Sequence, residues 1–299
     1  MERRALLFGV IAAAGVVPAC SARGADGGDL ATAIEPTPPV PDSGVAPGSD
    51  GTKRLDNYLC AKPPPPATPT KMVPVAAGPF LMGCNPGVDK ECNRDELPTH
   101  TVTLRAYTID ATEVSQVQYW ECFKAGACLA PVCDWDPCGV RINHPVACVD
   151  HVDATKYCAW QKKRLPTEAE WEKAARGPDG LKYPWGNQGV DCTRTNMEGC
   201  RAGLDGKEGA APVGTHPAGA SPYGALDMAG NIAEWVADYY DVGYYARSPK
   251  ENPTGPATAS AFVGRGGGWR SVPYWQRTSV RDDYSSNYFK NSGGFRCAQ

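Results

Sequence analysis

The side chains of this 299-residue chain best suited to chemistry are its 13 cysteines, four histidines and a C-terminal run of arginines and aromatics. Thiolates are nucleophiles and soft-metal ligands, and ligation by cysteine calls for close pairs such as C-x2-C. No such pair occurs. The short gaps are Cys84/Cys92, Cys122/Cys128/Cys133/Cys138 and Cys192/Cys200, and no cysteine lies between Cys200 and Cys297. Cys192/Cys200 and Cys84/Cys92 read as local disulfide pairs. Cys60, Cys122, Cys128, Cys133, Cys138 and Cys148 admit too many connectivities to assign. Trp269, Ser271, Tyr274, Trp275, Arg277 and Arg281 are candidate groove residues, with Tyr and Trp as anchors for a peptide or a small polar ligand. The alternative for Trp269 and Arg281 is a scaffold role, and Arg296 reads as structural.

These groups need a compartment and elements to hold them. Arg3 and Arg4 precede an uncharged, mostly apolar run from Ala5 to Val17, so residues 1–19 read as an export signal, too short to span a bilayer comfortably. The stretch Val17-Pro18-Ala19-Cys20 resembles a bacterial lipobox, with Cys20 as the lipidation site. An ordinary secretory signal or twin-arginine export is the alternative. Either route places the mature chain outside the cytoplasm, lipid-anchored to a bacterial membrane, or else secreted or periplasmic. Removing Cys20 leaves 12 cysteines, an even number that suits disulfides in an oxidising compartment.

Residues 20–70 read as the anchored linker, with ten prolines from Pro36 to Pro69 that keep it extended and coreless. The folded domain is expected over 71–299. Formal net charge of −3 argues against a broad basic footprint for nucleic acid, and 42% hydrophobic content supports a core. Met72–Val75 and Phe80–Met82 around Gly78 predict a short hairpin, and the Thr/Val/Thr/Leu alternation over 101–104 a further strand. Ser115–Ala125 predicts a helix stopped by Gly126. Asp150–Gln161 predicts a second helix with Ala154, Tyr157, Cys158 and Gln161 on one face. Thr167-Glu168-Ala169-Glu170 is a capping box opening a third. Beyond 176 the chain is loops, glycines and aromatics. The expected class is α+β, irregular and loop-rich, of the kind that needs staples or ions.

Several motifs occur in order across 72–297. They include Gly78-Pro79-Phe80-Leu81-Met82-Gly83, His144-Pro145-Val146, Arg164-Leu165-Pro166-Thr167-Glu168-Ala169-Glu170-Trp171-Glu172, Asp227-Met228-Ala229-Gly230-Asn231-Ile232-Ala233-Glu234-Trp235, Arg265-Gly266-Gly267-Gly268-Trp269 and Gly294-Phe295-Arg296-Cys297. Together they resemble the formylglycine-generating enzyme, or sulfatase-modifying factor, family. The resemblance implies a variant C-type-lectin-like fold. It also implies, in members that do the named chemistry, oxidation of a substrate cysteine to formylglycine by two active-site cysteines that bind copper. Copper(I) is soft and prefers sulfur. Ser271 and Gln276, the nearest positional counterparts, cannot supply that ligand set, so copper is not expected. Another branch of the family uses histidines from an added helical domain to hold iron. With only His100, His144, His151 and His216 and no such domain, a three-histidine site is not expected either.

The resemblance implies structural calcium, which takes six to eight hard oxygens. One implied site comprises Asp227, the Gly230 and Ile232 carbonyls and Glu234. The second comprises Asn196 and Asp205 by side chain, with Met197 and Lys207 by carbonyl. It also implies a Cys158–Cys297 disulfide and places the segment after Gly268 along a substrate groove. The expected function is an exported, lipid-anchored binding or scaffold module, with peptide or small polar ligands and no nucleic acid. The alternative is an atypical formylglycine-generating oxidoreductase acting on a cysteine of a sulfatase or other protein.

Overall fold

The computed structural model describes Cys60, residues 64–283 and residues 293–299. The expected export signal, Cys20 and most of the linker lie outside the described residues. Among the described residues no helix is long and apolar enough to cross a membrane.

The domain opens with an antiparallel ribbon rather than the predicted hairpin. Strand β1 (Met72–Val75) pairs with β4 (Tyr107–Asp110), and β2 (Gly78–Met82) pairs with β3 (His100–Leu104). Val75 faces Tyr107 and Gly78 faces Leu104, so one register runs through both halves. Ala76 and Ala77 are no turn-formers, and Gly78 at φ 131° lets the ribbon kink instead of reversing. The kink frees the Ala76 and Gly78 carbonyls. The buried Lys173 ammonium donates to both at 2.8 Å, which meets the requirement that buried carbonyls be partnered.

Three helices follow from local chemistry. Helix α1 (Gln116–Lys124) starts after Ser115, whose amide donates to Gln118 Oε1 at 2.9 Å, and ends before Gly126 at φ 71°. Helix α2 (His151–Trp160) is capped by Asp150, which accepts from the Asp153 amide at 2.7 Å. Asp153, Ala154, Tyr157 and Cys158 are its buried residues, whereas Gln161 is exposed, one step beyond the helix end. Helix α3 (Glu168–Arg176) carries the capping box. The Glu170 amide donates to Thr167 Oγ1 at 3.2 Å and the Thr167 amide to Glu170 Oε2 at 2.8 Å. Every α3 residue except Glu170 is buried, including the carboxylates of Glu168 and Glu172.

A four-stranded sheet completes the domain in the order β7 (Asp282–Asp283), β6 (Phe262–Arg265), β5 (Ala233–Tyr239), β8 (Gly293–Phe295), with only β5–β8 parallel. Central β5 is buried on both faces over its first four residues. Residues 297–299 then cross the ribbon and the α3 approach. Gln299 and Thr108 exchange backbone hydrogen bonds, as do Ala298 and Arg164. One core lies between the ribbon, α3 and β6, centred on Trp171, and a second lies between α1, α2, β5 and β8, around Tyr119, Tyr157 and Phe295.

Six disulfides staple the loops: Cys60–Cys138, Cys84–Cys92, Cys122–Cys128, Cys133–Cys148, Cys158–Cys297 and Cys192–Cys200. The connectivity left open by the sequence is thereby fixed, and Cys60 clips the N-terminal segment to the domain. The irregular, loop-rich, disulfide-stapled α+β architecture implied by the resemblance is the one observed.

Candidate functional site

The segment after β6 docks on the loop before β5. The Gly230 amide donates to the Gly266 carbonyl at 2.8 Å, and the Trp269 amide to the Asn231 carbonyl at 2.9 Å. Gly230 has φ 80°, and a Cβ there would collide with the Thr195 hydroxyl and the Asn196 carbonyl, so glycine is required for this close approach. Residues 268–271 form a tight turn closed by the Ser271 amide on the Gly268 carbonyl at 2.8 Å, and the Ser271 hydroxyl accepts from the Gly268 amide. Gln276 is fully buried, accepting from Thr195 Oγ1 at 3.2 Å. Ser271 is thus a turn hydroxyl and Gln276 a packed carboxamide, and neither offers a sulfur ligand. Among the described residues every cysteine is in a disulfide.

The turn carries one wall of a cavity of about 520 Å³. Trp269 and Arg270 form that wall, the Arg270 guanidinium lying 4.3 Å from the Trp269 ring centroid. The opposite wall comes from the Cys133–Cys148 loop, with Asp134 ion-paired to Arg141, and with His144. Asp205, Lys207 and Glu208 close the rim. His144 is only 5% exposed, and neither ring nitrogen has a hydrogen-bond partner. Burial and the Arg141 charge push its pKa below the ordinary histidine value, so it is a neutral imidazole at pH 7. An unpartnered buried imidazole costs on the order of 1–3 kcal/mol, which a ligand or water hydrogen-bonding to it would recover. Rim and walls together offer three cations, three anions, an indole face and a neutral donor–acceptor. This lining suits a polar ligand of balanced charge.

Of the predicted groove residues, Trp269 lines this cavity, whereas Ser271, Tyr274, Trp275, Arg277 and Arg281 do not. Arg277 and Arg281 are buried and ion-paired, Arg281 in the scaffold role that the sequence offers as its alternative. Arg277 binds Glu96 bidentately, at 2.9 and 2.8 Å, and Asp89 at 2.8 Å. Arg281 binds both Glu168 oxygens, at 2.6 and 3.0 Å, under Tyr245. Arg265 joins Glu172 at 2.6 Å, Arg176 joins the other Glu172 oxygen at 2.7 Å, and Arg296 holds both oxygens of Glu234. Burial alone would raise the Glu172 pKa, but Arg265 and Arg176 outweigh it and hold the carboxyl below its usual range. The charged and imidazole cavity residues absent from the sequence-based set are Asp134, Arg141, His144, Glu208 and Arg270. His144 stands in the quoted His144-Pro145-Val146 motif, the one signal that could have pointed to it.

The implied calcium residues fall into two places. In the first, both Glu234 oxygens are engaged by Arg296, and one also accepts from the Trp171 indole at 2.8 Å, while Asp227 Oδ2 accepts from the Gly214 amide at 2.6 Å. This is an ion-pair cluster as built. It nevertheless holds three carboxylates, Glu113, Asp227 and Glu234, around one guanidinium. Burial and Asp227 push Glu113 well above the usual carboxylate range, and its Oε2 has no partner. In the second, Asn196 Oδ1 is buried and unpartnered, while its Nδ2 is fixed by the Gly209 carbonyl at 2.8 Å. The Met197 and Lys207 carbonyls accept from the Cys200 and Gly203 amides, and Asp205 is exposed at φ 57°. Among the described residues no group of three His, Cys, Asp or Glu side chains is arranged as a ready-made metal cage.

A sequence profile of the sulfatase-modifying factor enzyme 1-like domain matches residues 60–299. Formylglycine-generating enzyme of Mus musculus is 31% identical over 292 residues, covering 79% of this chain and 76% of that protein. Inactive C-alpha-formylglycine-generating enzyme 2 of Bos taurus is 37% identical over 172 residues, covering 53% of this chain and 51% of that protein. Among solved structures, PvdO from Pseudomonas aeruginosa superposes with a TM-score of 0.62 at 28% identity, covering 76% of this chain and 93% of that one. The chain belongs to the sulfatase-modifying factor, or formylglycine-generating enzyme, family.

Proposed function

We propose that this chain is an exported, lipid-anchored binding module of its family, acting outside the cytoplasm through the His144–Trp269 cavity and not through copper oxidation. The observation that carries the reading is the state of the cysteines. All twelve described ones are in disulfides, and residues 201–296 hold no cysteine that could supply a thiolate. A bovine relative named as inactive supports a non-catalytic use of the domain. Three features support export: the apolar N-terminal run, the lipobox-like Val17-Pro18-Ala19-Cys20 and six disulfides. Calcium at the 196–207 loop is part of the reading, supported by the orphaned Asn196 oxygen. Calcium at the 227–234 loop is supported by the carboxylate excess and would have Glu234 shared with Arg296.

The test is incubation of the purified chain with Cu(I), oxygen and a peptide bearing Cys-x-Pro-x-Arg, followed by mass spectrometry. No cysteine-to-formylglycine mass loss is expected. Conversion of the peptide would establish the competing reading, an atypical formylglycine-generating oxidoreductase.

A further inference from the structure

Of the six disulfides, Cys60–Cys138 is the one pair in which neither cysteine is buried: Cys60 is half-buried and Cys138 exposed. Every other pair has at least one buried sulfur-bearing residue. It is also the pair that joins the proline-rich N-terminal segment to the domain, across 78 residues of sequence. Past Cys60, residues 64–70 lie against the surface without regular structure, and none of them is buried. Pro66, Thr68 and Thr70 line a shallow cavity of about 290 Å³ with Gln118, Tyr157 and Trp160. Two hydrogen bonds from Gln118 Nε2 hold this strap: to the Thr68 carbonyl at 2.8 Å and to Thr70 Oγ1 at 2.9 Å. Regular pairing begins only next to Lys71, whose carbonyl accepts from the Ala111 amide at 2.8 Å. A segment held by one exposed and one part-buried hydrogen bond, with no buried residue, has little local stability of its own.

We propose that Cys60–Cys138 is a reductively releasable clip that controls whether the proline-rich strap is seated on the α1–α2 surface. The chemistry is thiol–disulfide exchange with a dithiol reductant. Its thiolate attacks the exposed Cys138 sulfur, the S–S bond breaks and Cys60 leaves as a thiolate. The second thiol of the reductant then closes on the mixed disulfide and expels Cys138. Two electrons and two protons pass to the cysteine pair, and the reductant departs as its own disulfide. This pair is favoured because neither of its half-cystines is buried, whereas Cys192, though exposed, is bonded to the buried Cys200. Among the described residues, release moves the first point of attachment from Cys60 to Lys71. The added reach is on the order of 30 Å for an extended proline-rich stretch of this length.

The experiment titrates the full, natively oxidised chain with dithiothreitol, traps free thiols by alkylation and maps them by peptide mass spectrometry. Cys60 and Cys138 should be alkylated at a reductant concentration at least tenfold below that which opens any other pair. Opening of Cys192–Cys200, or any other pair, at an equal or lower concentration would overturn the proposal. In the Cys60→Ser/Cys138→Ser variant, the Gln118 side-chain amide, which donates to Thr68 and Thr70, should show exchange with water at least tenfold faster by NMR, with backbone amides of 72–75 and 107–110 unchanged. Unchanged exchange at the Gln118 side chain refutes release, and lost protection over the β1–β4 ribbon shows the bond to be a structural staple instead.

Discussion

Asp238 offers a quantitative test of the buried polar layer. It lies on β5, fully enclosed, and its Oδ2 accepts the Glu168 amide at 2.8 Å at the start of α3. Burial, and then the neighbouring Glu168 charge, push its pKa up to about 8 from 3.8. Between those two values the folded chain keeps a proton that the unfolded chain releases. The contribution of this group to stability is therefore complete below about pH 4, declines as pH rises, and is exhausted above about pH 8. Each pH unit inside that window removes about 1.4 kcal/mol, so going from pH 5 to pH 7 removes about 3 kcal/mol. Asp238→Asn retains an acceptor for the Glu168 amide and has no proton to lose. Denaturant unfolding of the parent and D238N at pH 5, 6 and 7 isolates the effect, because other titrating groups largely cancel in the difference. The advantage of the variant should grow by about 3 kcal/mol across that range. A difference that stays flat with pH would show that Asp238 is ionised in the fold and that the reasoning is wrong.

Further perturbations have clear expected outcomes. The Cys158→Ala/Cys297→Ala variant opens a link spanning 139 residues, and denaturant unfolding should show a loss of about 5 kcal/mol in the chain-entropy account. Arg277→Met leaves the buried Glu96 without its cation and Asp89 with Lys182 alone, and should cost about 3–5 kcal/mol. A thermal melt within a degree or two of the parent would contradict the burial of that cluster. Calcium added to the chelator-treated chain should raise the melting temperature and release or absorb heat by calorimetry. Asn196→Ala should abolish the increment owed to the 196–207 loop, and no heat in the parent would dismiss calcium altogether.

The elements that were legible in the sequence are those specified locally. Thr167/Glu170 and Asp150/Asp153 are contacts within one turn of chain, so the caps and the helices behind them are readable without tertiary knowledge. The sequence predicts a β1–β2 hairpin because Gly78 alone looks like a turn. What decides the matter is Lys173, 95 residues away, reaching the carbonyls at the kink. Arg277 and Arg281 look like loop-surface cations, and their burial follows from carboxylates at 89, 96 and 168, which no sequence window shares with them. The cavity escaped for the same reason: its walls come from 133–147, 204–210 and 269–270, brought together only by docking of the Gly230 and Gly266 loops.

The placement of residues 293–299 bears on how the chain comes to fold. Strand β8 inserts beside β5, Arg296 neutralises Glu234 in the interior, and 298–299 tie down both the ribbon and the approach to α3. Each of these contacts joins stretches separated by about 60 to 190 residues, the most expensive loops to close and the slowest to find. During synthesis the central strand stays open on one edge, and Glu234 lacks its guanidinium, until residues 293–296 have left the ribosome. Closure of the core, and formation of the Cys158–Cys297 bond that locks it, are therefore events of the finished domain and not of the growing one.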